Sequence, residues 1–493
     1  MPREYITDAK WPEARDGFMR ENLTSGFSFT DPDAQTETDL LPDEDFISEI
    51  NPRKKSGYDY DVAIIGSGPA GISAAVKASG LGARVIMFEK EALGGLWLNA
   101  GCIPTITYLT FGRDTKEFKN LISHKNNIVS KLTSGTARTL RACRVRIEAG
   151  EAVIKSPNEI ACKGRTYTTS KIILCSGSSV DRSQIPGAYH KNVYTYTEIY
   201  KMQEVPKRLM VLGANSDGCT IALVFAALGS NVMLVEPQAQ ILPGWDKQVA
   251  SAAAKALSDA GVKLHTGITV REIGDKDGNP FVITDRGGVL CEKVLLSTAR
   301  KPDISALGEL IDDIELDGGV ITVNEFMETS HPGIFAAGDI TGLDLQTQAA
   351  CKMAEIAAAN AMGNRVAFDI KAVPMIMHTT PEAASVGLTE EEALELYGDD
   401  LLIGESPMSS NVRAILSGKT DGFVKVLADR RYGEILGVHI VASEAAEMIN
   451  EPSAMMQMEI TIHEVADEIL HAHPTYGEAF ANACASAVAK KKT

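Results

Sequence analysis

Two stretches of this chain carry the same pattern, and that repetition constrains the fold more than any other feature. DYDVAIIGSGPAGISAAVKASGLGARVIMFEK, from Asp59, reads strand, glycine-rich turn, helix, strand, and RLMVLGANSDGCTIALVFAALGSNVMLVEP, from Arg208, repeats the order. Each is a βαβ unit with a phosphate-binding turn between its first strand and its helix. Two copies imply an α/β chain with two Rossmann-like units, each a parallel sheet flanked by helices, and two nucleotide sites. At 493 residues the chain exceeds one ordinary core, so further units are expected.

The first turn, Gly66-Ser67-Gly68-Pro69-Ala70-Gly71, has every part a dinucleotide needs. The first glycine permits the tight turn, the second lets a pyrophosphate approach the backbone, and the third lets helix pack on strand. The helix N-terminus supplies positive potential. Glu89, followed by Lys90, ends the next strand and can accept hydrogen bonds from a ribose diol. The second turn is altered. It reads Gly213-Ala214-Asn215-Ser216-Asp217-Gly218, with Asn215 at the second glycine position and Asp217 adding negative charge. Asn tolerates positive φ, so the turn is expected to survive while phosphate approach is put in question. Glu236 favours NAD over NADP if either binds. Two readings stay open: a working NAD(H) site, or a unit that keeps the fold without the ligand.

The organisation that follows is an N-terminal extension over 1–56, an FAD-type nucleotide unit over 57–206 and an NAD-type unit over 207–326. A return to the first unit over 327–370 and a C-terminal α+β unit over 371–493 complete the chain. The extension contains DPDAQTETDLLPDEDF, too acidic to order itself, but also Tyr5, Trp11, Phe18, Phe27, Phe29 and Phe46. It reads either as a segment that docks on the folded body or a partner, or as a loose tail.

A net charge of -17 opposes binding to nucleic acid. No apolar run reaches the ~18 residues of a membrane span, and the charged first residues lack the apolar core of a secretion signal, so a cytoplasmic protein is expected. The eight cysteines are scattered with no CxxC pair, which argues against a metal site.

Downstream of the first fingerprint stands Gly94-Gly95-Leu96-Trp97-Leu98-Asn99-Ala100-Gly101-Cys102-Ile103-Pro104-Thr105. Here the sequence resembles the dihydrolipoamide dehydrogenase branch of the pyridine nucleotide-disulfide oxidoreductases. The resemblance continues through FAAGDITG, TTPEAASVGLTEEEA, GFVKVLADRRYGEILGVHI and HAHPTYGE, from about Tyr58 to Ala489. It implies that Gly66, Gly68, Pro69, Ala70, Gly71, Glu89, Lys90 and Gly95 hold FAD, with Gly150 and Ala152 beside the adenine. Gly177, Gly338 and Asp339 would reach the cofactor's middle, and Gln346 and Thr347 the isoalloxazine ring. Gly213, Asn215, Gly218 and Glu236 would be the NAD counterparts. Cys102 matches the flavin-facing cysteine, whose thiolate a helix N-terminus would favour. His473, before Pro474, matches the acid/base, and Glu478 the carboxylate that orients it. In the family that pair serves the partner subunit, so a homodimer is implied.

The chain departs from this pattern at the redox centre. The family's second cysteine would occupy position 97, which is Trp97; its flavin-proximal lysine would occupy position 106, which is Ile106. The glutamate common in the second motif is Thr220. Trp97 either plugs the dithiol cleft, offers a stacking surface to a flat acceptor, or simply packs. Three functions are consistent with these residues. The first is an FAD-dependent oxidoreductase moving electrons from NAD(H) or another donor to a small-molecule or protein acceptor without a disulfide relay. The second is a reductase cycling Cys102 alone through a sulfenate or mixed disulfide. The third is a non-catalytic FAD-bound scaffold.

Overall fold

The computed structural model describes residues 57–112, 117–369 and 371–491. The sequence-based docking role for the N-terminal extension falls outside them. From Tyr60 the first sheet and its helices are laid down: β1 (Tyr60–Ile65), α1 (Pro69–Gly80) and β2 (Val85–Glu89), then α2 (Gly95–Asn99), α3 (Cys102–Phe111) and the long α4 (Phe118–Ala142). The strands β3 (Arg146–Ala149), β4 (Ala152–Ser156), β5 (Glu159–Cys162) and β6 (Arg165–Leu174) follow. β1 and β2 read as near-continuous apolar runs because both faces of the parallel sheet are buried, one under helices such as α1 and the other under β4, β5 and the segment 306–310. β6 does two jobs: its first half closes an antiparallel meander with β5 and β4, and its second half pairs parallel with β1.

The second unit repeats the plan. β7 (Val193–Thr195), β8 (Arg208–Leu212), α5 (Ser216–Ala227), β9 (Asn231–Glu236), α6 (Lys247–Asp259), β10 (Lys263–Thr266) and β11 (Lys293–Leu296) form a parallel sheet in the order β10-β9-β8-β11-β7. A separate antiparallel sheet over Val270–Lys276, Asn279–Thr284 and Gly287–Leu290 is inserted before β11. The chain then returns: β12 (Ile334–Ala336) pairs parallel with β6, giving the first sheet the matching order β3-β2-β1-β6-β12, and α7 (Thr347–Ala361) packs on α1. Alanine at 349, 350, 354, 357, 358 and 361 makes α7 thin enough to lie close.

The last unit is an antiparallel sheet of β13 (Met375–Met377), β14 (Glu382–Gly387), β15 (Leu401–Pro407), β16 (Phe423–Asp429) and β17 (Ile435–Ala442), ordered β13-β14-β17-β16-β15. The final helix, α8 (Glu478–Lys491), lies against β15 so closely that a Cβ on Gly404 would sit 2.0 Å from the Ala483 carbonyl oxygen. The core of the second unit continues into this sheet through Met377, Ala383 and Val441. Where they meet, Lys425 is buried with its ammonium 2.7 Å from Asp246 Oδ1 and 2.8 Å from Glu390 Oε2. His439 lies 3.9 Å from Asp246 Oδ2 and is held neutral, its pKa lowered to about 4 first by burial.

No helix among the described residues is long and apolar enough to cross a membrane.

Candidate flavin and nucleotide sites

At the first fingerprint, the glycines at 66 and 71 are demanded by the chain itself. A Cβ at Gly66, where φ is +105°, would lie 2.2 Å from the Cys175 carbonyl oxygen, and one at Gly71 would lie 1.9 Å from that of Gly66. At Gly68 there is nothing within 4 Å, which is the open cradle a pyrophosphate requires. Gly68 is the N-cap of α1 and Pro69 follows it, so backbone N–H groups point into that space. Glu89 accepts from the Ser67 N–H at 3.0 Å and remains partly exposed at the strand end. FAD fits these residues: an open cradle, a helix N-terminus and a reachable acid lie at one sheet end.

The same turn positions the cysteine. Gly95, at φ +62°, touches the fingerprint so closely that a Cβ would lie 2.7 Å from Gly68 Cα. Asn99 Nδ2 donates to the carbonyls of Leu93 and Gly95, closing the loop that carries α2. Cys102 then opens α3 behind Gly101. Gly338, at φ +82°, brings Asp339 to the site, where Oδ2 accepts from Ser178 Oγ at 2.6 Å and pairs with Arg300 Nη2 at 3.0 Å. The Arg300 guanidinium lies 5.2 Å over the Tyr196 ring. Gln346 caps α7 and Thr347 begins it.

Of the remaining residues, Gly150 donates to the Glu89 carbonyl, and Ala152 pairs with Cys162. Lys90 pairs with Asp303, and Gly177 accepts from the Asp303 N–H. Arg300 and Tyr196 were not marked by sequence. They meet only because Arg300–Pro302 runs antiparallel to Ser178–Val180, a pairing between distant segments with no local signature.

Two expectations are corrected. Cys102 is exposed as a residue, but protein crowds around its thiol and its pKa is raised rather than lowered. Burial is the main cause and the Asp217 carboxylate adds to it; the Cys102 backbone N–H, the Thr347 hydroxyl and Arg300 pull the other way without prevailing. Asn215, for its part, needs no positive φ: it sits at φ -70°, extended like Gly68 at -67°.

All eight cysteines are free. Trp97 is half-buried on α2, and its Nε1 is buried with no hydrogen-bond partner among the described residues.

In the C-terminal unit, His473 Nδ1 lies 2.8 Å from Glu478 Oε1, and Glu478 Oε2 accepts from the Thr475 N–H at 2.8 Å. Those bonds hold the Glu478 carboxyl below its ordinary range, the His473 contact first. The His473–Pro474 peptide is cis, and the ring's other nitrogen is left to face outward from an exposed residue.

Residues 60–363 match the model for pyridine nucleotide-disulphide oxidoreductases, and 373–484 match that family's dimerisation domain. A dihydrolipoyl dehydrogenase of Thermus scotoductus is 34% identical over 444 residues, 85% of this chain and 95% of that protein. A mercuric reductase of Bacillus cereus is 28% identical over 85% of this chain and 70% of its own length. The solved structure of the HOCl-induced flavoprotein disulfide reductase RclA from Escherichia coli superposes with a TM-score of 0.80 at 26% identity, covering 86% of this chain and 99% of that one. The chain therefore belongs to the pyridine nucleotide-disulphide oxidoreductases, a family of oxidoreductases that bind FAD and use NAD(P)H.

Proposed function

We propose that this protein is an FAD-dependent oxidoreductase that passes electrons to an acceptor other than a disulfide, with no protein disulfide between flavin and acceptor. The observation that carries this is an indole at position 97, on the helix preceding Cys102, in a chain whose cysteines are all free. The similarity to a dihydrolipoyl dehydrogenase, a mercuric reductase and a flavoprotein disulfide reductase supports flavin-based electron transfer in general. Free FAD chemistry suffices for hydride and one-electron steps once the cofactor is bound. The chain's own part is positional. Gly66, Gly68 and Gly71 admit the pyrophosphate, Glu89 receives a ribose, and Asp339, fixed by Ser178 and Arg300, holds the middle of the cofactor. Cys102 stands beside it as a lone thiol, which weighs against the reading that cycles this sulfur, because the thiolate is the reactive form. His473, oriented by Glu478, moves a proton at Nε2. The partner is a second copy of the chain, joined through the dimerisation domain, whose exposed Leu416 and Leu470 favour such burial.

Anaerobic dithionite titration tests the reading. The expected endpoint is two electrons per chain, with no long-wavelength intermediate accumulating at half reduction. A four-electron endpoint that Cys102→Ser lowers to two would establish a redox partner for Cys102 and refute it.

A further inference from the structure

The two fingerprints are geometric copies at their first and third glycines. A Cβ at Gly213 would lie 2.0 Å from the Ser297 carbonyl oxygen and one at Gly218 would lie 2.1 Å from that of Gly213, matching the clashes at Gly66 and Gly71. They differ at the second position. There Asn215 takes the same extended backbone as Gly68, so its side chain projects where Gly68 leaves open space. That side chain is tied in place on every polar atom. Oδ1 accepts from the Gly218 N–H at 2.9 Å and from Ser297 Oγ at 2.7 Å, and Nδ2 donates to the Ser297 carbonyl at 3.0 Å. A helix N–H that a phosphate would use is already satisfied.

Two further features set this site apart from the first. Glu236, the residue for a ribose, makes the same pair of backbone contacts as Glu89, Oε2 taking the Ala214 N–H at 2.7 Å and Oε1 that of Gln238 at 3.0 Å, but it is only 5% exposed where Glu89 stays partly exposed. Asp217, in the first turn of α5, sets a carboxylate against the positive helix end that would draw a phosphate. Arg300, the cation facing Asp217, is already paired with Asp339.

We infer that the second nucleotide unit does not take a dinucleotide: Asn215 fills its pyrophosphate cradle, and the flavin's electrons come from a donor other than a pyridine dinucleotide held in this unit. This rests on the flavoprotein reading above and narrows its donor. The full-length FAD-loaded protein is titrated calorimetrically with ADP-ribose, which carries the pyrophosphate and ribose but no redox group, and then with NADH. Expected are no saturable binding of either probe up to about 1 mM in the unaltered protein and a gain of roughly tenfold or more in ADP-ribose affinity in Asn215→Gly. Asn215→Ser, which keeps a capping oxygen on a shorter stem, gains less and covers the case in which the glycine variant does not fold. Micromolar binding of either probe by the unaltered protein overturns the inference. So does failure of both folded variants to gain affinity, since the block would then not be Asn215. Flavin absorbance and the dithionite endpoint of the same sample report separately on the reading it rests on.

Discussion

At the scale of single residues, the flavin-side chemistry turns on what faces one sulfur. Cys102 begins a helix, which by itself favours a thiolate, yet enclosure by protein and the carboxylate of Asp217 outweigh that effect. Asp217 is itself pushed up by burial, with Arg300 opposing and Asp339 adding to the rise. In Asp217→Asn the charge disappears while size is kept, so the Cys102 pKa should fall. The measurement is the pH dependence of Cys102 alkylation rate; an unchanged midpoint would show that enclosure alone governs the thiol. The fingerprint made Cys102 and its helix legible in the sequence. The sign of its pKa was not, because it depends first on how the folded chain crowds the thiol and then on Asp217, 115 positions away, which only folding brings near.

At the scale of elements, the strand-turn-helix pattern was fully legible, since apolar runs and glycine spacing are local signals. The distinction between the glycines was not, and the structure supplies it. Gly68→Ala should fold normally, because its added methyl meets nothing, but retain FAD at least about tenfold more weakly by crowding the cradle. Gly71→Ala would drive its methyl into the Gly66 carbonyl and should cost about 1–3 kcal/mol of stability besides losing FAD. Thermal melts and flavin content of the two variants check this; equal melting temperatures would contradict it. Arg300 beside Tyr196 and Asp339 escaped the sequence because it follows from a register between short strands. At Asn215 the turn survives as expected, but not for the reason its residue type suggested. Its residue type was read as tolerance of positive φ, whereas the fold uses its side chain as a cap.

At the scale of the whole molecule, a buried charged cluster joins the second unit to the C-terminal sheet. His439 within it stays neutral, so between its ordinary pKa of 6.5 and about 4 the unfolded chain binds a proton that the native chain refuses. Stability is then complete above pH 6.5 and declines as pH falls toward 4, by about 3 kcal/mol in total from this residue. Denaturant melts across that range should show the decline, and His439→Gln should flatten it by a similar amount; an equal slope in both proteins would remove His439 as its source. Lys425 in the same cluster, 1% exposed, takes Asp246 from the start of α6 and Glu390 from ahead of β15. The apolar core likewise runs unbroken from the second sheet into Met377, Ala383 and Val441. A unit built like a nucleotide reader thus also serves as a foundation: the subunit-joining sheet stands on it, so it would be kept by the needs of assembly even after its own ligand had gone.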